Sequence, residues 1–365
     1  MILFLFAALL SILFAYNVNR TGRYHWLIAS FAVIVFIMAF QDNIAQDFST
    51  YRLYFEEILA GQVRPSGFLQ DRIAWQTIEM GWWFINKSIG SFIPSYYAVT
   101  FIVYSFICSS LYNLLKRFPR KYYWLSIFYF YFSIMTFFMS GARQSFAIAF
   151  FVYTVLFYLD KRYLLSLLFF ILGCTMHNTM LFSVIFLPFL YIDRIKAKIG
   201  KKVLGTIIIV FFFISFLFGD TIRDVIISIF AQKLDENEFY SGHLSEFDSV
   251  TFSINNLLSR IFIFSFTLYA FLKTDRINSF CALCFLISQI LSVIIGNGGE
   301  IGRITYYGAV FAIPLMSVIP ILLKKLEYKR IFIWGLLFIV LWQFISSVLL
   351  NYQYQNYLNF KTIFF

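Results

Sequence analysis

The sequence predicts an all-α, polytopic integral membrane protein, and three observations predict it. Of its 365 residues, 61% are hydrophobic and only 13% are charged, against roughly half and a quarter in an ordinary globular domain. Phe alone supplies 50 residues and Tyr another 24, more apolar surface than one soluble core can hide, so lipid must cover it. Apolar runs of about 16–24 residues recur along the whole length, the length a helix needs to cross ~30 Å of hydrocarbon. These runs are continuous rather than alternating, which excludes barrel strands. Backbone polar groups in lipid must pair within their own segment, which leaves helices.

Spans are expected at about 1–16, 24–40, 92–115, 122–140, 143–159, 163–176, 178–192, 203–219, 253–272, 277–296, 303–323 and 330–350, about twelve helices in one transmembrane domain, 1–365. The first run has its basic flank, Arg20 and Arg23, after it and lacks the basic start and small-residue cleavage site of a signal peptide. It is expected to be a retained first helix. The region 163–192 reads either as two short helices turning at His177-Asn178 or as one long broken helix. All four cysteines lie inside apolar runs, and Cys281-Ala282-Leu283-Cys284 has no second pair or nearby histidine to complete a zinc site. These cysteines are read as small packing residues.

Loop charge tests the spans, because cytoplasmic turns carry the Lys and Arg excess. The turn after span one carries Arg20 and Arg23, net +2, and the turn after span three carries Lys116, Arg117, Arg120 and Lys121, net +4. Those after spans five, seven, nine and eleven are net +1, +4, +1 and +3. The long alternate loops run the other way: about 41–91 is net −2 and about 219–250 is net −5. Both termini and both long loops are therefore expected outside, and the net charge of +11 is an inner-face signal. No folded basic domain exists to bind nucleic acid. The loop 41–91, with Tyr51, Tyr54, Trp75, Trp82 and Trp83 among its charges, suits short helices lying on the outer headgroups.

Ionisable groups within spans are costly and mark function. Arg143 opens span five, Arg260 lies about eight residues into span nine, Arg303 opens span eleven, and His177 sits at the turn of 163–192. By the topology above all four fall in the outer half of the membrane. Guanidinium keeps its charge and forks onto phosphate oxygens, so Arg143, Arg260 and Arg303 are candidate ligands of a lipid-linked diphosphate. The competing reading gives each arginine a carboxylate partner or a path to the headgroups. His177 is either a phosphate donor or acid/base, or a packed, hydrogen-bonded residue. Asp47, Glu79 and Glu300 are candidate bases for a sugar hydroxyl, or else helix caps and counter-ions. Outer aromatics, here Tyr51, Trp82, Tyr306 and Tyr307, are candidates to stack on sugar rings. No metal cluster is expected, no cofactor is called for, and the absence of P-loop, GxGxxG, HExxH and GxSxG patterns argues against ATP hydrolysis on this chain.

Asp47-Phe48-Ser49-Thr50-Tyr51, Glu79-Met80-Gly81-Trp82, Gly141-Ala142-Arg143-Gln144-Ser145-Phe146-Ala147, Met176-His177-Asn178, and Arg303 followed by Tyr306-Tyr307 occur in that order along the chain. In these stretches the sequence resembles the EpsG-like branch of bacterial polysaccharide polymerases, the Wzy-type O-antigen and exopolysaccharide repeat-unit polymerases. Ala45-Gln46 stands where that family usually has Gly-Thr before the aspartate. The resemblance implies an enzyme of the bacterial inner membrane that works at its outer face. It would move a growing glycan from polyprenyl diphosphate to the non-reducing end of another lipid-linked unit, with membrane lipid around it and a chain-length regulator as candidate partner. An O-antigen ligase, another lipid-linked glycosyltransferase, or a flippase for the lipid-linked unit are the alternative readings. The flippase is disfavoured because no internal repeat is visible.

Overall fold

In the computed structural model nearly every described segment is helical, as a backbone deprived of water requires. The structure describes all residues except 43, 46, 68–76, 235–253, 296–301, 351–356, 358–359 and 365. Among the described residues, eight helices have the length and apolar composition to cross a bilayer: Ile2–Thr21, Tyr96–Leu115, Arg120–Ser140, Ala142–Leu159, Lys201–Val225, Arg276–Ile294, Thr305–Leu322 and Leu326–Leu349. The four other expected spans coincide with His25–Ala39, Tyr163–Met176, Asn178–Tyr191 and Ile254–Lys273. The chain is an all-α polytopic membrane protein.

The region 163–192 divides at His177, whose extended backbone (φ −159°, ψ 130°) ends the helix Tyr163–Met176. The next fourteen residues, Asn178–Tyr191, wind as a 3₁₀ helix. At ~2.0 Å per residue that stretch reaches about 28 Å, whereas fourteen α-helical residues would reach only ~21 Å. The tighter winding lets a short segment approach the thickness of the hydrocarbon core.

Contacts gather the chain into two compact units, Met1–Met180 with Met316–Phe365, and Leu181–Leu315. In the first unit, α1 (Ile2–Thr21) is tied to α2 (His25–Ala39) by Ser30 Oγ donating to the Ser11 carbonyl at 2.8 Å. Two helices of the following loop, α3 (Phe48–Leu59) and α4 (Met80–Phe92), precede the spanning helix α5 (Tyr96–Leu115). Then α6 (Tyr123–Tyr129) and α7 (Met135–Ser140) form one run interrupted by a π-helical turn at Phe130–Ile134. Next come α8 (Ala142–Leu159) and α9 (Tyr163–Met176). Of the α8 span, 78% is buried, against 33% of α1, so α8 is an inner helix and α1 lies at the surface. The chain's end returns to this unit, where Gln41 bridges Thr362 and Ile363 N–H donates to the Phe40 carbonyl at 3.1 Å.

The basic turns lie together within each unit. Arg120 spans from the third turn to the first, donating to the Gly22 carbonyl (2.6 Å) and the Tyr24 hydroxyl (3.0 Å) while stacking on the Tyr24 ring. Gly22 closes α1 at φ 68°, a left-handed conformation that favours glycine. Arg117 pairs with Asp160 of the fifth turn at 2.5 Å. In the second unit the seventh turn meets the ninth: Asp193 accepts the Arg276 N–H and Lys201 pairs with Asp275 at 2.9 Å. Lys196 of α10 (Ile192–Ile199) donates to the Phe271 and Thr274 carbonyls and to Ser279 Oγ, which anchors the end of the helix Ile254–Lys273.

Two expectations need correction. The segment expected to become a loop at 219 continues as helix, because α11 runs from Lys201 to Leu234. Its 34 residues reach ~51 Å at 1.5 Å each, well past the hydrocarbon core. Arg223, paired with Asp220 at 2.9 Å, supports the extra turns. The second correction concerns 41–91, where the short helices are present but three of their aromatics turn inward. Tyr51, Tyr54 and Trp82 are buried, not laid on headgroups. The cause is packing: Phe48 and Phe55 of α3 sit against Tyr96 of α5, and a Cβ on Gly90 of α4 would come within 2.8 Å of Phe55. Trp75 lies outside the described residues.

Candidate functional site

Three separate stretches of the first unit meet at one ion pair. Arg143 is the second residue of α8, and its Nη1 donates to Glu79 Oε2. Glu79 stands at the cap position of α4 without a side-chain cap bond. Both are buried, at 6% and 4% exposure, where two charges persist only if each answers the other. The guanidinium lies over the ring of Tyr51 from α3, 5.3 Å from its centroid, and Tyr51 in turn meets Trp82, ring centroids 5.8 Å apart. The stretches around Tyr51, Glu79 and Arg143 therefore build one place.

Buried polar atoms remain there. Arg143 Nε, Trp82 Nε1 and Ser145 Oγ are buried and have no hydrogen-bond partner among the described residues. A buried donor without a partner costs ~1–3 kcal/mol, and such groups in a native site mark function or a polar ligand. Two of the three are N–H donors, chemistry suited to an anionic or hydroxyl oxygen.

Gly81 sets how closely this centre approaches the turn at His177. A Cβ at Gly81 would collide with Thr175 Oγ1 and come within 2.8 and 2.9 Å of Met176 Cε and Sδ. His177 is buried, and its Nδ1 accepts the Thr179 backbone N–H at 3.2 Å and lies 3.0 Å from the Thr179 hydroxyl. That bond leaves the proton of a neutral imidazole on Nε2. Asp47 lies half-buried at the cap position of α3, where its carbonyl accepts the Tyr51 N–H at 3.0 Å.

In the second unit, Arg260 Nη1 donates to Ser292 Oγ at 2.7 Å. One turn earlier on the same helix, Arg276–Ile294, Ser288 Oγ donates to the Thr305 carbonyl at 2.7 Å, two residues beyond Arg303. Arg260 and the Thr305 carbonyl thus reach neighbouring turns of one helix, and Arg260 and Arg303 are both half-buried. Tyr307 is fully buried and Tyr306 half-buried. Gly308 lets this segment close on its neighbour, since a Cβ there would come within 2.5 Å of the Cys284 carbonyl. Cys281 and Cys284 are buried free thiols. Glu300 lies outside the described residues.

The family model of the EpsG family matches residues 24–362. The chain belongs to the EpsG family. It is a membrane protein of polysaccharide biosynthesis, in a family associated with glycosyltransferase-like polymerases. Neither curated proteins nor solved structures give a match. The matched range contains the stretches that meet at Arg143 and Glu79 and the one that carries Arg303.

Sequence reasoning passed over some residues of this arrangement. Ser145 and Ser292 are single hydroxyls in apolar helices and carry no pattern of their own. Gly81 was legible only as part of Glu79-Met80-Gly81-Trp82. The pairing of Arg143 with Glu79, 64 residues apart, left no local trace.

Proposed function

We propose that this EpsG-family protein is a repeat-unit polymerase of the bacterial inner membrane. It transfers a growing glycan from polyprenyl diphosphate to the non-reducing end of another lipid-linked unit, at the outer face. The observation that carries this reading is the buried Arg143–Glu79 pair with Tyr51 and Trp82 beside it and unpartnered donors around it. A diphosphate leaving group is already a stabilised anion. What it requires is preorganised positive charge in a water-poor place, which fixed guanidinium groups supply.

Glu79 is committed to Arg143, so its part is to hold the guanidinium in place. Asp47, half-buried one turn from Tyr51, and Glu300 are the carboxylates we assign to take the proton from the acceptor hydroxyl. His177 donates through Nε2 to a phosphate oxygen. Tyr51 and Trp82 bound the sugar, and the half-buried Tyr306 does the same near Arg303, with the buried Tyr307 packed behind it. No cofactor enters this scheme.

Deleting and restoring the gene tests the reading. Loss of long polysaccharide, with single repeat units left outside the membrane, is expected. Units stranded inside would indicate a flippase. Intact polymer that fails only to reach another lipid would indicate a ligase.

A further inference from the structure

Helix α3 has two faces. One carries Phe48, Tyr51, Phe55 and Ile58 into the protein, and all four are buried. The other carries Ser49, Arg52, Leu53 and Glu56, all four exposed. Two hollows lie along that second face. The first, about 460 Å³, is lined by Asp42, Phe48, Ser49, Arg52, Leu53 and Glu56. The second, about 350 Å³, runs from Arg52 and Glu56 across Phe55 to Tyr96 and Tyr97. Arg52 and Glu56 are common to both, so the two form one groove partitioned by a single ion pair, 3.3 Å long.

We infer that this groove is a binding site for an uncharged oligosaccharide, a distal stretch of the glycan that the protein elongates. This deepens the polymerase reading above and rests on it. Three features of the lining select the ligand. Asp42, Arg52 and Glu56 present planar, two-pronged groups, which match the paired hydroxyls of a sugar ring. Phe48, Phe55 and Tyr97 offer flat apolar surface for the ring's C–H face. Two carboxylates against one guanidinium leave the groove net negative, which repels a phosphate or an anionic lipid headgroup and favours a neutral glycan. Each volume lies within the ~300–1,000 Å³ of small-ligand pockets.

The partition is easily opened. Arg52 and Glu56 are 53% and 59% exposed in their side chains, and solvent screening makes an exposed i,i+4 pair weak. A glycan can exchange that contact for hydrogen bonds to both groups. Tyr51, on the other face of the same helix, lies under Arg143. A saccharide in the groove is therefore about one helix diameter, ~10–12 Å, from the buried ion pair. It is not the reacting sugar. It is a neighbour further along the chain, and the groove would hold the glycan while its end is positioned.

The test measures binding and elongation separately on the purified full-length protein in nanodiscs. The probe is the neutral repeat-unit oligosaccharide released from the cell's own polysaccharide, observed by saturation-transfer NMR. Arg52→Ala combined with Glu56→Gln is expected to weaken binding at least tenfold. Ser49→Trp, which fills the first hollow, is expected to do the same by occlusion, so a folding defect in one variant does not decide the outcome. Arg143→Lys is expected to leave binding of this probe within twofold while abolishing polymer. Unchanged binding in both groove variants, or no binding by the wild type, would overturn the site. A wild-type protein that binds in the groove, in cells whose polymer survives the gene deletion, would keep the site and overturn the polymerase reading instead.

Discussion

Replacing Glu79 by Gln keeps its shape and removes its charge, leaving Arg143 buried with no counter-ion. Both side chains are less than a tenth exposed, so solvent cannot replace the lost partner. Breaking a buried pair from one side costs ~3–5 kcal/mol, a large share of the ~5–15 kcal/mol that holds a typical protein folded. Glu79→Gln alone is therefore expected to lower the thermal midpoint of the detergent-solubilised protein clearly and to abolish polymer. Arg143→Met alone should be destabilising as well, because it strands the carboxylate. The double variant, Glu79→Gln with Arg143→Met, buries no charge and should recover most of the lost stability, since a neutral replacement of a buried pair is often harmless. The coupling in the double-mutant cycle should be ~2 kcal/mol or more, within the range for residues in contact. Polymer should remain absent from the recovered double variant, because the guanidinium is gone. Stability is read by thermal unfolding and activity by polysaccharide length on gels. Additive losses in the cycle, or polymer made by the stable double variant, would refute the assignment of this pair.

Further predictions follow from neighbouring contacts. Gly81→Ala should force α4 away from Thr175 and Met176, costing ~1–3 kcal/mol by overpacking and shortening or abolishing polymer; normal polymer would show that this close approach is dispensable. Arg143→Lys and Arg303→Lys keep charge but lose the planar fork, and each is expected to slow polymerisation ~10²–10³-fold at unchanged membrane abundance. Wild-type polymer length from both would remove the phosphate role. Activity should survive EDTA, since arginines rather than a metal ion carry the diphosphate; loss on chelation with recovery in Mg²⁺ or Mn²⁺ would contradict that.

The helices were legible because length and apolarity are local properties. The basic turns of the first unit, read as one set in the sequence, meet as contacts, Arg120 with Gly22 and Arg117 with Asp160. The 3₁₀ winding of Asn178–Tyr191 was not legible, because an apolar run carries the same hydropathy in either helix. Nor was the burial of Tyr51 and Trp82, since aromatics are so frequent here that no single one stands out. At the site, Arg143 and Glu79 were both visible as costly charges, each with a counter-ion reading beside a catalytic one. Which partner each had depends on tertiary packing that a single sequence does not encode locally. The face Ser49, Arg52, Leu53 and Glu56 was written at helical spacing, but only the fold shows that it borders a groove.

The central claim is tested most directly by reconstitution. The purified protein, in liposomes with polyprenyl-diphosphate-linked repeat units and no nucleotide, should convert them to a ladder of longer lipid-linked glycans. Arg143→Lys protein at equal density should leave single units. Persistence of single units with the wild-type protein, under conditions where the substrate is demonstrably accessible at the active face, would contradict the account.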